Sequence, residues 1–226
     1  MKKLYKKNFF EIIFHYFHDN KIFLKSQGTI SKNQFIKIIN KVGRKNILDA
    51  KVFYEKLLKK KLKKTESCIT FDDGLLSQYK IALPVLKKFK IKAFWFIQSS
   101  ILNPSPNSLE IYRHFRNTKF KNINQFYDIF FSNVLLNKKN FKIHLKNQNN
   151  FIRKKKKTHP FYSYKDLKFR FIRDYVLTKK EYDKIMFNLF KKYNYSWKDS
   201  IKKLFLNKKH LKKLFSEGHL KGLHSH

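Results

Sequence analysis

The sequence predicts an α/β fold built on a parallel sheet. Three observations carry the prediction. SCITF (67–71) is a short, apolar, β-branched run that stops at Asp72-Asp73-Gly74. KAFWFIQ (92–98) is a second such run, and the stretch from Ser77 to Phe89 between them has helical spacing. Strand, helix and strand in succession are the pattern of βα units, whose strands pair in parallel.

The other elements follow in order. FEIIFHYF (10–17) is aromatic and β-branched and reads as one strand. Ser31 to Asn40 reads as a helix capped by Ser31, with Phe35, Ile38 and Ile39 on one face. ILDAKVFYEKLLKKKL (47–62) reads as another, with an apolar face of Val52, Phe53, Leu57 and Leu58. Pro104 and Pro106 then mark a change of style, and about 100 residues follow that read as helical without a convincing strand. The clearest piece is TKKEYDKIMFNLFKKY (178–193), where Thr178 and Glu181 make a capping box. Its apolar stripe of Tyr182, Ile185, Met186, Leu189, Phe190 and Tyr193 reads as packing. RKKKKTHP (153–160) reads as a solvated loop. Asn207 caps a helix carrying Leu211, Leu214 and Phe215, Gly218 stops it, and KGLHSH begins a further strand. The expected organisation is thus βα units over 1–106, a helical segment over 107–206, and a return to the βα pattern over 207–226.

Composition limits the function classes. The chain has 226 residues and a formal net charge of +38, which by itself suggests nucleic acid or an anionic surface. Only six of its 53 basic residues are Arg, the side chain that reads phosphates and guanine edges bidentately. Lys, Asn, Ile, Phe and Tyr are enriched while Gly, Pro, Ala and Arg are scarce, a bias that A/T-rich codons explain. Nucleic acid is therefore not the expected partner, and a basic nucleic-acid or membrane-surface binder is the lesser alternative. One cysteine, Cys68, excludes an internal disulfide and reads as a small buried residue. No apolar run reaches the ~18 residues of a membrane span, and the N-terminal stretch lacks a small-residue cleavage site. The expected location is cytoplasmic.

Chemistry concentrates at ITFDDG, where a buried-type strand delivers two acids to its C-terminal end. That edge is where parallel α/β folds build their sites. Adjacent residues at a strand end face different ways, so Asp72 and Asp73 can take different roles. Asp-Gly is also an ordinary turn in which Asp caps the next helix, and ITFDDG alone leaves both readings open. GHLKGLHSH, near the end, adds imidazoles at a second strand edge, and His with carboxylate is a zinc-type donor set.

On these residues the chain resembles the polysaccharide deacetylases, or NodB homology domain, metal-dependent carbohydrate N-deacetylases. Their first motif, T-F-D-D-G, stands here as Thr70-Phe71-Asp72-Asp73-Gly74. Their next strand, A-T-F-F, corresponds to Ala93-Phe94-Trp95-Phe96. Their second motif, G-H-E-I-G-x-H-[ST]-x-x-H, begins at Gly218 and runs through His224-Ser225. The resemblance implies the N-terminal part of a distorted (β/α) barrel with a helical insertion. It also implies Asp72 as general base, Asp73 and His224 as ligands of a divalent metal (zinc foremost), and an N-acetylated carbohydrate as substrate. The second family histidine would fall at position 228, beyond the last residue, His226, whose own family position is variable. The later family motifs, which supply a proton-donating histidine, have no counterpart. The expectation is an incomplete site with weak or absent activity, or an inactive remnant. His226 can substitute as a ligand only by sharing a strand face with His224. His15, just inside the first strand, is a further candidate for lining the pocket. His219 reads as a cationic helix-end residue rather than a ligand.

Overall fold

The computed structural model describes residues 11–102, 108–137 and 145–224. The chain forms two compact units, one of Met1–Ile111 with Lys198–His226, the other of Tyr112–Trp197.

In the first unit the expected opening strand is broken in two at His15. β1 (Glu11–Phe14) and β2 (Tyr16–His18) belong to different sheets. β2 pairs in parallel with β3 (Thr29–Ser31), a strand the sequence did not announce because its three residues lead straight into a helix cap. Ser31 caps α1 (Lys32–Val42) through a full capping box with Gln34, and Phe35 and Ile39 are buried. α2 (Ala50–Leu58) is shorter than expected and turned differently. It buries Ala50 and Phe53, one turn apart, and leaves Val52, Leu57 and Leu58 exposed. β4 (Cys68–Phe71) is buried at all four positions. A π-helical turn (Gln78–Ala82) then leads into α3 (Leu83–Lys88), in place of one regular helix. β5 (Phe94–Ile97) follows.

Two helices run across the division of the chain, α4 (Ser108–Lys119) and α9 (Trp197–Leu204). α10 (Lys208–Ser216) is capped by Asn207 and closed by Gly218 at φ +82°. The Gly218 N–H bonds the Phe215 carbonyl and the His219 N–H that of Leu214, the paired bonds of a Schellman ending. β6 (Leu220–Leu223) completes a four-stranded sheet in the order β1-β4-β5-β6. Every pair is parallel, and each strand is added in chain order on the same side. Among the described residues this sheet is open, with β1 and β6 at its edges. Its aromatic core stacks Trp95 on Phe71 at 4.5 Å and sets Phe14 edge-on to Phe35 at 4.8 Å. At the β5–β6 contact Gly222 is required, since a Cβ there would lie 2.4 Å from the Phe96 ring.

In the second unit the described residues are helical: α5 (Ile123–Asn137), α6 (Leu145–Thr158), α7 (Tyr164–Phe171) with a π-helical turn to Val176, and α8 (Lys179–Lys192). α8 begins at the Thr178–Glu181 capping box and buries Tyr182, Ile185, Met186, Leu189 and Phe190. Of the run RKKKKTHP (153–160), residues 153–158 lie on α6 rather than in a loop, and only 159–160 leave the helix. Lys is a good helix former, and Gln148 with Ile152, one turn apart, anchor the buried face. Aromatic rings fill this unit, with Phe130 edge-on to Phe169 at 5.0 Å. No helix among the described residues is long and apolar enough to cross a membrane.

Candidate active site

Parallel pairing in chain order brings four strand ends together at one edge of the sheet. His15 follows β1, Asp72 and Asp73 follow β4, Gln98 follows β5 and His224 follows β6. The turn after β4 separates the two acids. Asp73 takes φ +74° and Gly74 φ +66°, two successive left-handed residues. Asp tolerates that region better than most side chains, and Gly occupies it freely. A Cβ on Gly74 would also come within 2.8 Å of the Ile101 side chain. The Leu206 N–H bonds the Gly74 carbonyl at 2.9 Å and holds the turn from outside.

The structure assembles three of the sequence-predicted residues directly. The Asp72 Oδ2 lies 3.6 Å from the Nε2 of His15 and 3.6 Å from the Nε2 of His224. Asp72 is the least exposed of the three, its side chain 14% accessible against 42% for His15 and 31% for His224. Burial pushes the Asp72 carboxyl above the ordinary carboxylate range; the His15 and His224 imidazoles pull it down, and the neighbouring Asp73 adds to the rise. The result is a carboxylate more basic than usual and only partly exposed. Asp73 is buried and faces elsewhere, its Oδ1 accepting a 2.6 Å hydrogen bond from Gln98 Nε2. The backbone of His224 is fixed to β5 by an N–H bond to the Ile97 carbonyl, and its buried Nδ1 has no partner among the described residues. His226 lies outside the described residues.

Two glutamines complete the site. Gln98 reaches Asp73, as above. Gln78 is fully buried and bonds the carbonyls of His15 and Asp72 and the N–H of Leu75. Gln78 lies in a stretch that reads as helical and Gln98 at the end of one that reads as a strand; a neutral polar side chain in either place names no partner, so neither was legible locally.

His219 departs from its expected character. It is buried, its Nδ1 accepts the Ala93 N–H at 3.0 Å, and its Nε2 has no partner among the described residues. Burial, with Lys92 nearby, pushes its pKa down to about 4, so it packs as a neutral ring rather than a helix-end cation. Cys68 is buried in β4 and its thiol is pushed up to about 12, chiefly by burial, leaving it unreactive.

The donors at this edge are of the type that zinc takes: carboxylate oxygen on Asp73 and imidazole nitrogen on His224. The partnerless Nδ1 of His224 fits an imidazole with a nitrogen to spare. Among the described residues, however, no three such side chains gather where they could hold one ion. The described residues therefore supply donors of the right type without a complete cation site.

Residues 59–115 match the family model "Polysaccharide deacetylase". This stretch contains both Thr70–Gly74 and Ala93–Phe96, and the family it indicates is that of the polysaccharide deacetylases. Solved structures that resemble the chain include a de-N-acetylase from Aggregatibacter actinomycetemcomitans, 22% identical, over 42% of this chain and 39% of that one (TM-score 0.36). The deacetylase PplD of Streptococcus pyogenes is 19% identical over 45% and 49% (TM-score 0.34). IcaB from Ammonifex degensii is 25% identical over 41% and 40% (TM-score 0.32). The chain spans less than half the length of each of these proteins. No curated protein matches the chain significantly.

Proposed function

We propose that this site belongs to a metal-dependent hydrolase that removes an N-acetyl or related acyl group from a sugar of a polysaccharide or glycan precursor. One observation carries the reading: a half-buried Asp72 of raised basicity stands between two imidazoles at the C-terminal sheet edge, within the segment that matches the deacetylase family. The single-direction winding of the sheet is what a (β/α) barrel of the deacetylase type requires. In this reading residues 107–206 are a helical insertion into it.

Asp72 takes the proton of the attacking water. Burial makes Asp72 more basic than an ordinary carboxylate, and the flanking imidazoles favour its ionised form. Asp73, held by Gln98, and His224 would hold a divalent cation, zinc by donor type. When bound, that ion supplies polarisation of the acyl carbonyl and acidification of water. Water adds to the carbonyl carbon, the C–N bond breaks, and the proton taken by Asp72 returns to the departing nitrogen. The products are a carboxylate and a free amino sugar.

The test is acetate release from N-acetylated oligosaccharides by the protein supplied with zinc. Slow turnover is expected, because the described residues offer two donors rather than three, and Asp72→Asn abolishes it. Release that persists in Asp72→Asn, or none from the unaltered protein, counts against the reading.

A further inference from the structure

We propose that Gln78 is a positioning residue for this reaction: its carboxamide locks the backbones that carry His15 and Asp72, and so sets the separation of imidazole and carboxylate. The inference rests on the functional reading above and adds to it a residue that neither the family motifs nor the charge pattern marks.

The argument begins with how the side chain spends its hydrogen bonds. Gln78 is fully buried, with 0% exposure. Its NH2 group has two protons, and they go to the His15 carbonyl at 2.8 Å and the Asp72 carbonyl at 2.6 Å. Its Oε1 accepts the Leu75 N–H at 3.1 Å. One amide thus ties together the end of β1, the end of β4 and the turn that follows. The two carbonyls belong to the residues whose side chains meet at 3.6 Å. The residue also opens the π-helical turn Gln78–Ala82, and such widened turns recur at functional sites. A regular sheet hydrogen bond cannot replace this tie, because β1 ends at Phe14, where the Asp72 N–H bonds the Phe14 carbonyl. Beyond that point the side chain of Gln78 carries the pairing of the two strand ends onward.

The test compares Gln78→Met, which keeps length and removes every hydrogen bond, with Gln78→Asn, which keeps the amide one methylene short. Crystal structures of both variants give the separation of His15 Nε2 from Asp72 Oδ2, and deacetylation kinetics give kcat and KM. A displacement of about 1 Å at a reacting pair costs up to about 100-fold in rate. Gln78→Met should open the separation by about that much and lower kcat at least about tenfold, with KM nearly unchanged. Gln78→Asn should recover part of both. A Gln78→Met protein that keeps the original separation and kcat overturns the proposal. If that variant does not fold, an unchanged separation in Gln78→Asn overturns it equally. Should the unaltered protein show no turnover, the functional reading fails while the crystallographic separation still decides the role of Gln78.

Discussion

Replacing His219 by Asn should flatten the acid limb of the protein's stability profile. The imidazole stands perpendicular to the Trp95 ring, accepts the Ala93 N–H through Nδ1, and leaves its buried Nε2 without a partner among the described residues. Protonation would place a cation in that position near Lys92, so the folded-state pKa falls from 6.5 to about 4. The sign follows from which state binds the proton. Above 6.5 the ring is neutral in both states and its packing contributes in full. Between 6.5 and about 4 the unfolded chain takes up a proton that the folded chain refuses, so stability drops as pH falls. By about pH 4.5 the loss reaches about 2–3 kcal/mol, since each pH step below the unfolded pKa costs about 1 kcal/mol or somewhat more until the folded pKa is neared. Asn keeps an acceptor for the Ala93 N–H and cannot ionise. Its smaller volume costs about 1–2 kcal/mol at neutral pH, and that cost does not vary with pH. Urea unfolding of both proteins at about pH 7.5 and about pH 4.5 is the assay. The unaltered protein should lose about 2–3 kcal/mol more than the variant between the two. Equal losses would refute the reasoning, since the other titrating groups are common to both.

Further outcomes follow from the same geometry. Gly222→Ala sets a methyl 2.4 Å from the Phe96 ring, which stacks on Phe94, and should cost about 1–3 kcal/mol in thermal unfolding; an unchanged midpoint would contradict the close β5–β6 approach. Thr178→Ala removes the side-chain half of the α8 capping box and should cost about 1 kcal/mol, read from the same transition. Gln98→Leu removes the hydrogen bond to Asp73 and should weaken cobalt or zinc binding by about tenfold or more, as outer-shell losses do. Titration with an absorbance-reporting ion measures it, and an unaltered affinity would separate Gln98 from the donor's function.

The legible parts of this protein were those set by neighbours in sequence. The edge of β4 is marked by the abrupt passage from Cys68-Ile69-Thr70-Phe71 to two acids and a glycine, and the structure puts that glycine at positive φ. Capping boxes at Ser31 and Thr178 fix helix starts through side chains three residues apart, a distance any reading of the chain covers. His15 stands out as a histidine within an apolar run, but nothing local marks the break there into β1 and β2. That break depends on β2 finding β3 as its partner. Where packing decided, local pattern failed. α2 has apolar residues on several sides, and only the sheet selects Phe53 over Leu57. In α6 the lysine run hides a helix anchored by Gln148 and Ile152. Gln78 and Gln98 were illegible for the same reason, since their partners His15 and Asp73 come from other strands.

Acetate release from an N-acetylated oligosaccharide, compared between the unaltered protein and Asp72→Asn, tests the central claim most directly. Asn preserves the shape of a side chain that is 14% accessible, so unfolding midpoints of the two proteins should agree closely. The account predicts slow, zinc-dependent release from the unaltered protein and a loss of about 100-fold or more in the variant. Equal release from two equally stable proteins would contradict it.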